Sequence, residues 1–120
     1  MSEPTHRINY VELFTHDLDA TVDFYAAAFG WSFERWGDQY VSFSDACGIE
    51  GGFDLDPERA GVRGAVVILW ADDLDGALAS VLAAGASVTV PTFSFPGGRR
   101  FQFADPSGNE LAVWSTPSPE

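Results

Sequence analysis

D-L-D-A-T-V-D-F-Y-A-A-A-F-G (Asp17–Gly30) and D-L-D-G-A-L-A-S-V-L-A-A-G (Asp73–Gly85) run the same programme twice. Each opens on Asp-Leu-Asp, continues with apolar residues at helical spacing and stops at a glycine. In the first copy Asp17 or Asp19 is placed to cap the helix, and Leu18, Val22, Tyr25 or Ala26, and Phe29 recur along one side. In the second, Leu74, Ala77, Leu78, Val81 and Leu82 form the apolar stripe. A glycine just past the last periodic residue is a helix stop, because it takes the left-handed conformation that other residues resist. The copies are offset by about half of the 120 residues, which in a small protein signals two copies of one supersecondary unit around a shared core.

The segments around each helix complete the unit. Arg7–Thr15 alternates Ile8, Tyr10, Glu12 and Phe14 on one face with Asn9, Val11 and Leu13 on the other, as a strand does. After the helix come three short strand candidates, Trp31–Trp36, Gln39–Ser44 and Gly48–Leu55, with Gly37-Asp38 a tight turn between the first two. Asp56–Arg63 is polar, contains Pro and Gly, and reads as a linker. The second half predicts strands at Gly64–Ala71, Ser87–Val90 (ended by Pro91), Arg99–Phe103 and Glu110–Trp114, with Asp105-Pro106-Ser107-Gly108 turning between the last two. The expected order is β-α-β-β-β twice: module one about residues 7–55, linker 56–63, module two 64–115, in a single domain of 1–120. The Pro-rich tail Thr116–Glu120 reads as frayed.

Composition narrows the partners. Eighteen acids stand against six bases, for a net charge of −12, and every base is Arg. Such a surface repels phosphate backbones and anionic lipid, so no nucleic-acid or membrane partner is expected. Cys47 is the sole cysteine, which removes an intrachain disulfide and a thiolate cluster. No charged-then-apolar leader opens Met1–Arg7 and no apolar run approaches 18 residues, so the expected location is cytoplasmic. No catalytic triad, P-loop or dinucleotide fingerprint is present. The aromatic fraction, 14%, exceeds what two short helices need behind their sheets, so some rings are expected to line a small-molecule pocket.

Three stretches together resemble the vicinal oxygen chelate superfamily, the glyoxalase and bleomycin-resistance group. They are V-E-L-F-T-H-D-L-D-A-T-V-D-F-Y-A-A-A-F-G-W (Val11–Trp31), D-D-L-D-G-A-L-A-S-V-L-A-A-G-A (Asp72–Ala86) and F-Q-F-A-D-P-S-G-N-E-L (Phe101–Leu111). The resemblance implies an α+β fold: two tandem βαβββ modules forming a curved, cup-shaped mixed sheet, helices outside, ligand inside. It also implies a small-molecule ligand as partner and pairing of two copies into a homodimer.

Metal-using relatives carry one ligand on the first and last strand of each module. Carried over, those positions are Tyr10, Val66 or Val67, Glu110, and one of Glu50, Gly51 or Gly52, of which a glycine is the expectation. Valine cannot bind metal, and a divalent ion in such a site needs about three protein ligands. His6 stands roughly 13 Å from Tyr10 along an extended strand at about 3.3 Å per residue, and His16 reads as a surface turn residue. No metal and no cofactor are therefore expected.

In place of a metal, the expected cup holds Tyr10, Glu12, Phe14, Arg100, Gln102, Glu110 and Trp114. Arg100 is a candidate cation for Glu110 or Glu12, or for an anionic ligand. Alternation fixes that Tyr10, Glu12 and Phe14 share a face, and leaves open whether that face is inside or an outer surface. The leading expectation is a metal-free protein that binds a small molecule. The alternative is a lyase, isomerase or epimerase with Glu110 or Glu12 as general base and Tyr10 as acid. A third reading is an interaction subunit whose cup is filled by its own rings.

Overall fold

The computed structural model describes residues 10–45, 48–62 and 66–116. The expected strand starts at Arg7–Asn9 and at Gly64–Ala65, the residues His6 and Cys47, and the tail from residue 117 lie outside them. Ten elements follow in the order β1 (Tyr10–Thr15), α1 (Leu18–Phe29), β2 (Ser32–Trp36), β3 (Tyr40–Ser44), β4 (Glu50–Leu55), β5 (Val67–Trp70), α2 (Leu74–Ala83), β6 (Ser87–Phe95), β7 (Gly98–Ala104) and β8 (Glu110–Ser115). The repeat is borne out, β-α-β-β-β twice.

The helices start where the sequence places them. Asp17 accepts a hydrogen bond from Ala20 N and Asp73 one from Gly76 N, each satisfying a donor that the first turn leaves unpaired. Gly30 ends α1 at φ 74°, a left-handed conformation that glycine adopts without a Cβ penalty.

Each module folds its strands into one four-stranded mixed sheet, ordered β1-β4-β3-β2 and β5-β8-β7-β6. First and last strands pair in parallel (β1 with β4, β5 with β8), and the other pairs are antiparallel. One segment departs from expectation. β6 does not stop at Pro91 but continues to Phe95, with register shifts between Val88 and Val90 and between Val90 and Phe93. It is the edge strand of its sheet, where a proline's missing N–H and an irregular register are tolerated.

Alternation sends one face of each sheet to a common core. Leu13, Val41, Phe43 and Phe53 on the first sheet, and Phe101, Phe103, Leu111 and Val113 on the second, pack with Leu18, Phe24, Tyr25, Leu74 and Val81 of the helices. The modules share this core directly: the rings of Phe24 and Phe103 lie 6.0 Å apart. Tyr25 stacks on Trp31 at 4.9 Å and Trp31 on Phe43 at 4.5 Å, so much of the aromatic content is structural.

Polar contacts clamp the modules together. Thr15 Oγ1 lies 2.6 Å from both Thr21 Oγ1 and Ser107 Oγ, all three residues buried. Asn109 Nδ2 donates to Phe14 O at 2.6 Å. Tyr25 donates its hydroxyl proton to Asp105 at 2.9 Å, and the same carboxylate accepts from Ser107 N and Asn109 N, each at 2.9 Å. The D-P-S-G-N turn therefore ties the second sheet to α1 and β1 of the first module.

Candidate functional site

The opposite faces of the sheets are open and carry the candidate residues. On the first sheet the register sets Tyr10 beside Glu50, and Glu12 beside Gly52, Ser42 and Glu34. Phe14 aligns with Asp54, Tyr40 and Trp36. Tyr10, Glu12 and Phe14 thus lie on the side away from the core, which resolves the face that alternation alone left open. A cleft of about 630 Å³ opens here, lined by residues that include Tyr10, Glu34, Trp36, Tyr40, Ser42 and Glu50. That volume falls within the range of small-molecule pockets.

A hydrogen-bonded chain runs along this face. Tyr40 donates to Glu12 Oε1 at 2.9 Å, and the Tyr10 and Tyr40 hydroxyls are 2.6 Å apart. Desolvation, then the bonds to Tyr10 and Glu12, push the Tyr40 phenol well above its ordinary pKa of 10.0. It stays protonated, so its proton goes to Glu12 and Tyr10 supplies the proton between the phenols.

Gly52 makes that reach possible. Tyr40 crosses β4 to meet Glu12 on β1, and a Cβ on Gly52 would sit 2.2 Å from the Tyr40 hydroxyl oxygen. The clashing atoms are the far end of a side chain that can swing away. Gly52→Ala is therefore expected to cost under about 1 kcal/mol of stability, because the outer ring yields and the backbone does not. It breaks the Tyr40–Glu12 bond. Spectrophotometric titration should show one more phenol ionising near its ordinary pKa in the variant than in the parent protein.

On the second sheet, Arg100, Gln102, Glu110 and Trp114 share the open face with Ile68 and Trp70. Arg100 does not meet Glu110 directly. Its Nη2 donates to Gln102 Oε1 at 2.5 Å, Gln102 Nε2 donates to Glu110 Oε2 at 3.0 Å, and Thr89 Oγ1 donates to the same oxygen at 2.6 Å. The guanidinium lies over Phe93, 5.6 Å from the ring centre, a cation–π contact. Arg100 and Glu12 form no ion pair among the described residues.

The seven expected residues thus form two groups. Tyr10, Glu12 and Phe14 sit on the first sheet; Arg100, Gln102, Glu110 and Trp114 sit on the second. Phe14 is partly covered, with the Arg59 guanidinium 5.3 Å above its ring. Sequence reasoning missed Glu34, Trp36, Tyr40 and Ser42. Alternation within Ser32–Trp36 and Tyr40–Ser44 was the available signal, and attention to first and last strands passed over it.

The register also corrects one expectation. Glu50 pairs with Tyr10 on the first sheet. Val67 pairs with Leu111 on the second, and one step back along that register sets Glu110 beside Val66. Glu50, not a glycine, is the counterpart of Glu110. The positions corresponding to a metal set are then Tyr10, Glu50, Val66 and Glu110. No group of three or more His, Cys, Asp or Glu side chains among the described residues is placed to hold a metal ion. A phenol, a valine and two carboxylates on separate sheets do not fit a divalent ion.

No helix among the described residues is long and apolar enough to cross a membrane. The fold is shared with many solved structures. TnmS3, an antibiotic binding protein from Streptomyces sp. CB03234, superposes with a TM-score of 0.75 at 21% identity, over 96% of this chain and 99% of its own. Lactoylglutathione lyase from Agrobacterium tumefaciens gives 0.71 at 24%, over 94% and 96%. CFP32, a proposed glyoxylase of Mycobacterium tuberculosis (strain CDC 1551 / Oshkosh), is 28% identical over 116 residues. That match takes in 88% of this chain and 44% of CFP32, so the chain spans less than half the length of this curated relative. The family model for the Glyoxalase/Bleomycin resistance protein/Dioxygenase superfamily matches residues 7–113. With the two modules, their strand order and this match in agreement, the chain belongs to the glyoxalase/bleomycin resistance protein/dioxygenase superfamily.

Proposed function

We propose that this protein binds a small organic molecule without a metal ion, and holds it against the open face of the first sheet. The observation that carries this reading is the roughly 630 Å³ cleft walled by Tyr10, Trp36 and Tyr40. The likeness to an antibiotic binding protein is consistent with it. Exposed Ile68 and Trp70 on the second sheet support the further reading that two copies pair, since large apolar groups gathered on one face mark a contact surface. The cytoplasm is the proposed location.

Titration of intrinsic tryptophan fluorescence with planar aromatic and glycopeptide compounds tests the reading. Trp36 is 59% exposed and lines the cleft, so a bound compound should quench it saturably, and Trp36→Phe should remove that component. Absence of saturable quenching across the panel counts against the reading. Purified protein is also expected to carry no stoichiometric Zn, Ni, Mn or Fe, and to melt at the same temperature with and without EDTA. A metal at one hundred times its Kd would add about 2.7 kcal/mol, which a melting curve resolves.

The bonded set of Tyr10, Tyr40 and Glu12 supports a second reading, a lyase, isomerase or epimerase with Glu12 as general base. Glu12→Gln should then lower an identified activity by about 10²–10⁴-fold; an unchanged rate removes Glu12 from that role. Glu110, held by Thr89 and Gln102, is the other candidate base and takes the same test.

A further inference from the structure

We propose that the first-sheet cleft selects a planar aromatic cation, such as a quaternised or protonated nitrogen heterocycle. This rests on the ligand-binding reading above and names the ligand class. Three features of the lining converge on it.

The first is charge. Glu34 and Glu50 both line the cleft, and among the described residues neither has a hydrogen-bond or ion-pair partner. Among the described residues no base lines it: Lys is absent from the chain, and Arg35 of β2 aligns with core-facing Val41 and pairs with Asp19 of α1. The net charge of −12 adds a long-range field of the same sign.

The second is the direction of the hydrogen bonds. Tyr40 spends its proton on Glu12, so Tyr10 spends its own on Tyr40. The indole N–H of Trp36 is taken by Ser42 Oγ at 2.9 Å. The ring groups that border the cleft have thus used their donors within the protein. What Tyr10 has left for a ligand is an acceptor oxygen, which suits a ligand bearing N–H or positive charge.

The third is the wall itself. Trp36 is the ring type that attracts a cation most strongly, and Tyr10 and Tyr40 add two more faces. Aromatic faces beside carboxylates bind a delocalised cation by stacking and by charge together. The second sheet offers the opposite arrangement, with Arg100 at its centre, so the preference belongs to the first-sheet cleft.

Three matched probes test this by fluorescence titration at about pH 8: N-methylquinolinium, neutral quinoline and anionic quinoline-2-carboxylate. The cation is expected to bind about tenfold or more tighter than quinoline, in line with a desolvated cation–π contact, and the carboxylate more weakly still. Glu34→Gln and Glu50→Gln should each weaken the cation several-fold, and by more than they weaken quinoline. Both residues are exposed, so the fold should persist, and circular dichroism checks it. Glu58→Gln, an exposed acid of the inter-module segment outside the cleft, should change nothing and separates local charge from net charge. If quinoline or its carboxylate binds as tightly as the cation, the cation preference is overturned while the ligand-binding reading stands. If the glutamine variants bind the cation as the parent does, the assignment to this cleft is overturned. If no probe quenches, the proposal falls, and the broader compound panel then decides the ligand-binding reading separately.

Discussion

Gly51→Ala is expected to destabilise the fold strongly, although it adds one methyl group. A Cβ at Gly51 would lie 2.1 Å from the carbonyl oxygen of Val11 and 2.5 Å from the ring of Phe43. The first neighbour is backbone of β1, paired in parallel with β4 at this position, and the second is a buried core ring. Neither can give way without opening the sheet or the core. Overpacking of this kind costs about 3 kcal/mol or more, against a total stability on the order of 5–15 kcal/mol. Urea unfolding should show a lower midpoint, and a midpoint equal to the parent's would contradict the close approach of β1 and β4. The contrast with Gly52→Ala is sharp: adjacent glycines, one facing a carbonyl and the other a movable phenol, should differ several-fold in cost.

The second large effect is expected at Asp105. Its carboxylate accepts from Tyr25 OH, Ser107 N and Asn109 N, and from Asn109 Nδ2 at 3.2 Å. Asp105→Ala leaves those buried donors without a partner, at about 1–3 kcal/mol for each that stays unsatisfied. A loss of about 3 kcal/mol or more should follow, a fall in Tm on the order of 10 °C or more for a chain of this size.

The effect should also depend on pH. Burial raises the Asp105 pKa above 3.8, and the bonds from Asn109, Tyr25 and Ser107 pull only part of the way back. The folded protein therefore binds this proton more tightly than the unfolded chain. Its contribution is fully present below the ordinary pKa and is lost as pH rises through the raised folded value. The gap in unfolding free energy between the parent and Asp105→Ala should be widest at the acid end and shrink as pH rises through that window. A gap that widened with pH would reverse the sign of the shift.

Much of the architecture was legible because local chemistry and global fold agree. Asp17 and Asp73 cap helices, Gly30 stops one, and alternation in Tyr10–Thr15 separates core from open face. Three features were not legible, each for a physical reason. Glu50 was displaced by its glycine neighbours because one-residue register in a parallel pair depends on the partner strand, not on the strand's own pattern. The continuation of β6 past Pro91 depends on its being an edge strand, which only the assembled sheet decides. Tyr40 and Trp36 became site residues through neighbours distant in sequence: Tyr40 through Glu12 and Tyr10, and Trp36 through the shape of the cleft. The residues of the expected site divide between two sheets, and that division follows from how the modules pack.

The parallel pairing of each module's first strand with its last bears on how the chain folds as it is made. β1 waits for β4 and β5 for β8, so each sheet stays open until its final strand has been synthesised. The contacts that close them are non-local, a class that forms slowly because a long loop must be ordered first. The clamp between modules waits longer still, since Thr15 near the start needs Ser107 near the end. During translation β1 is thus an unpaired edge rich in apolar side chains until β4 at Glu50–Leu55 has been made, an interval of exposure that chaperones cover.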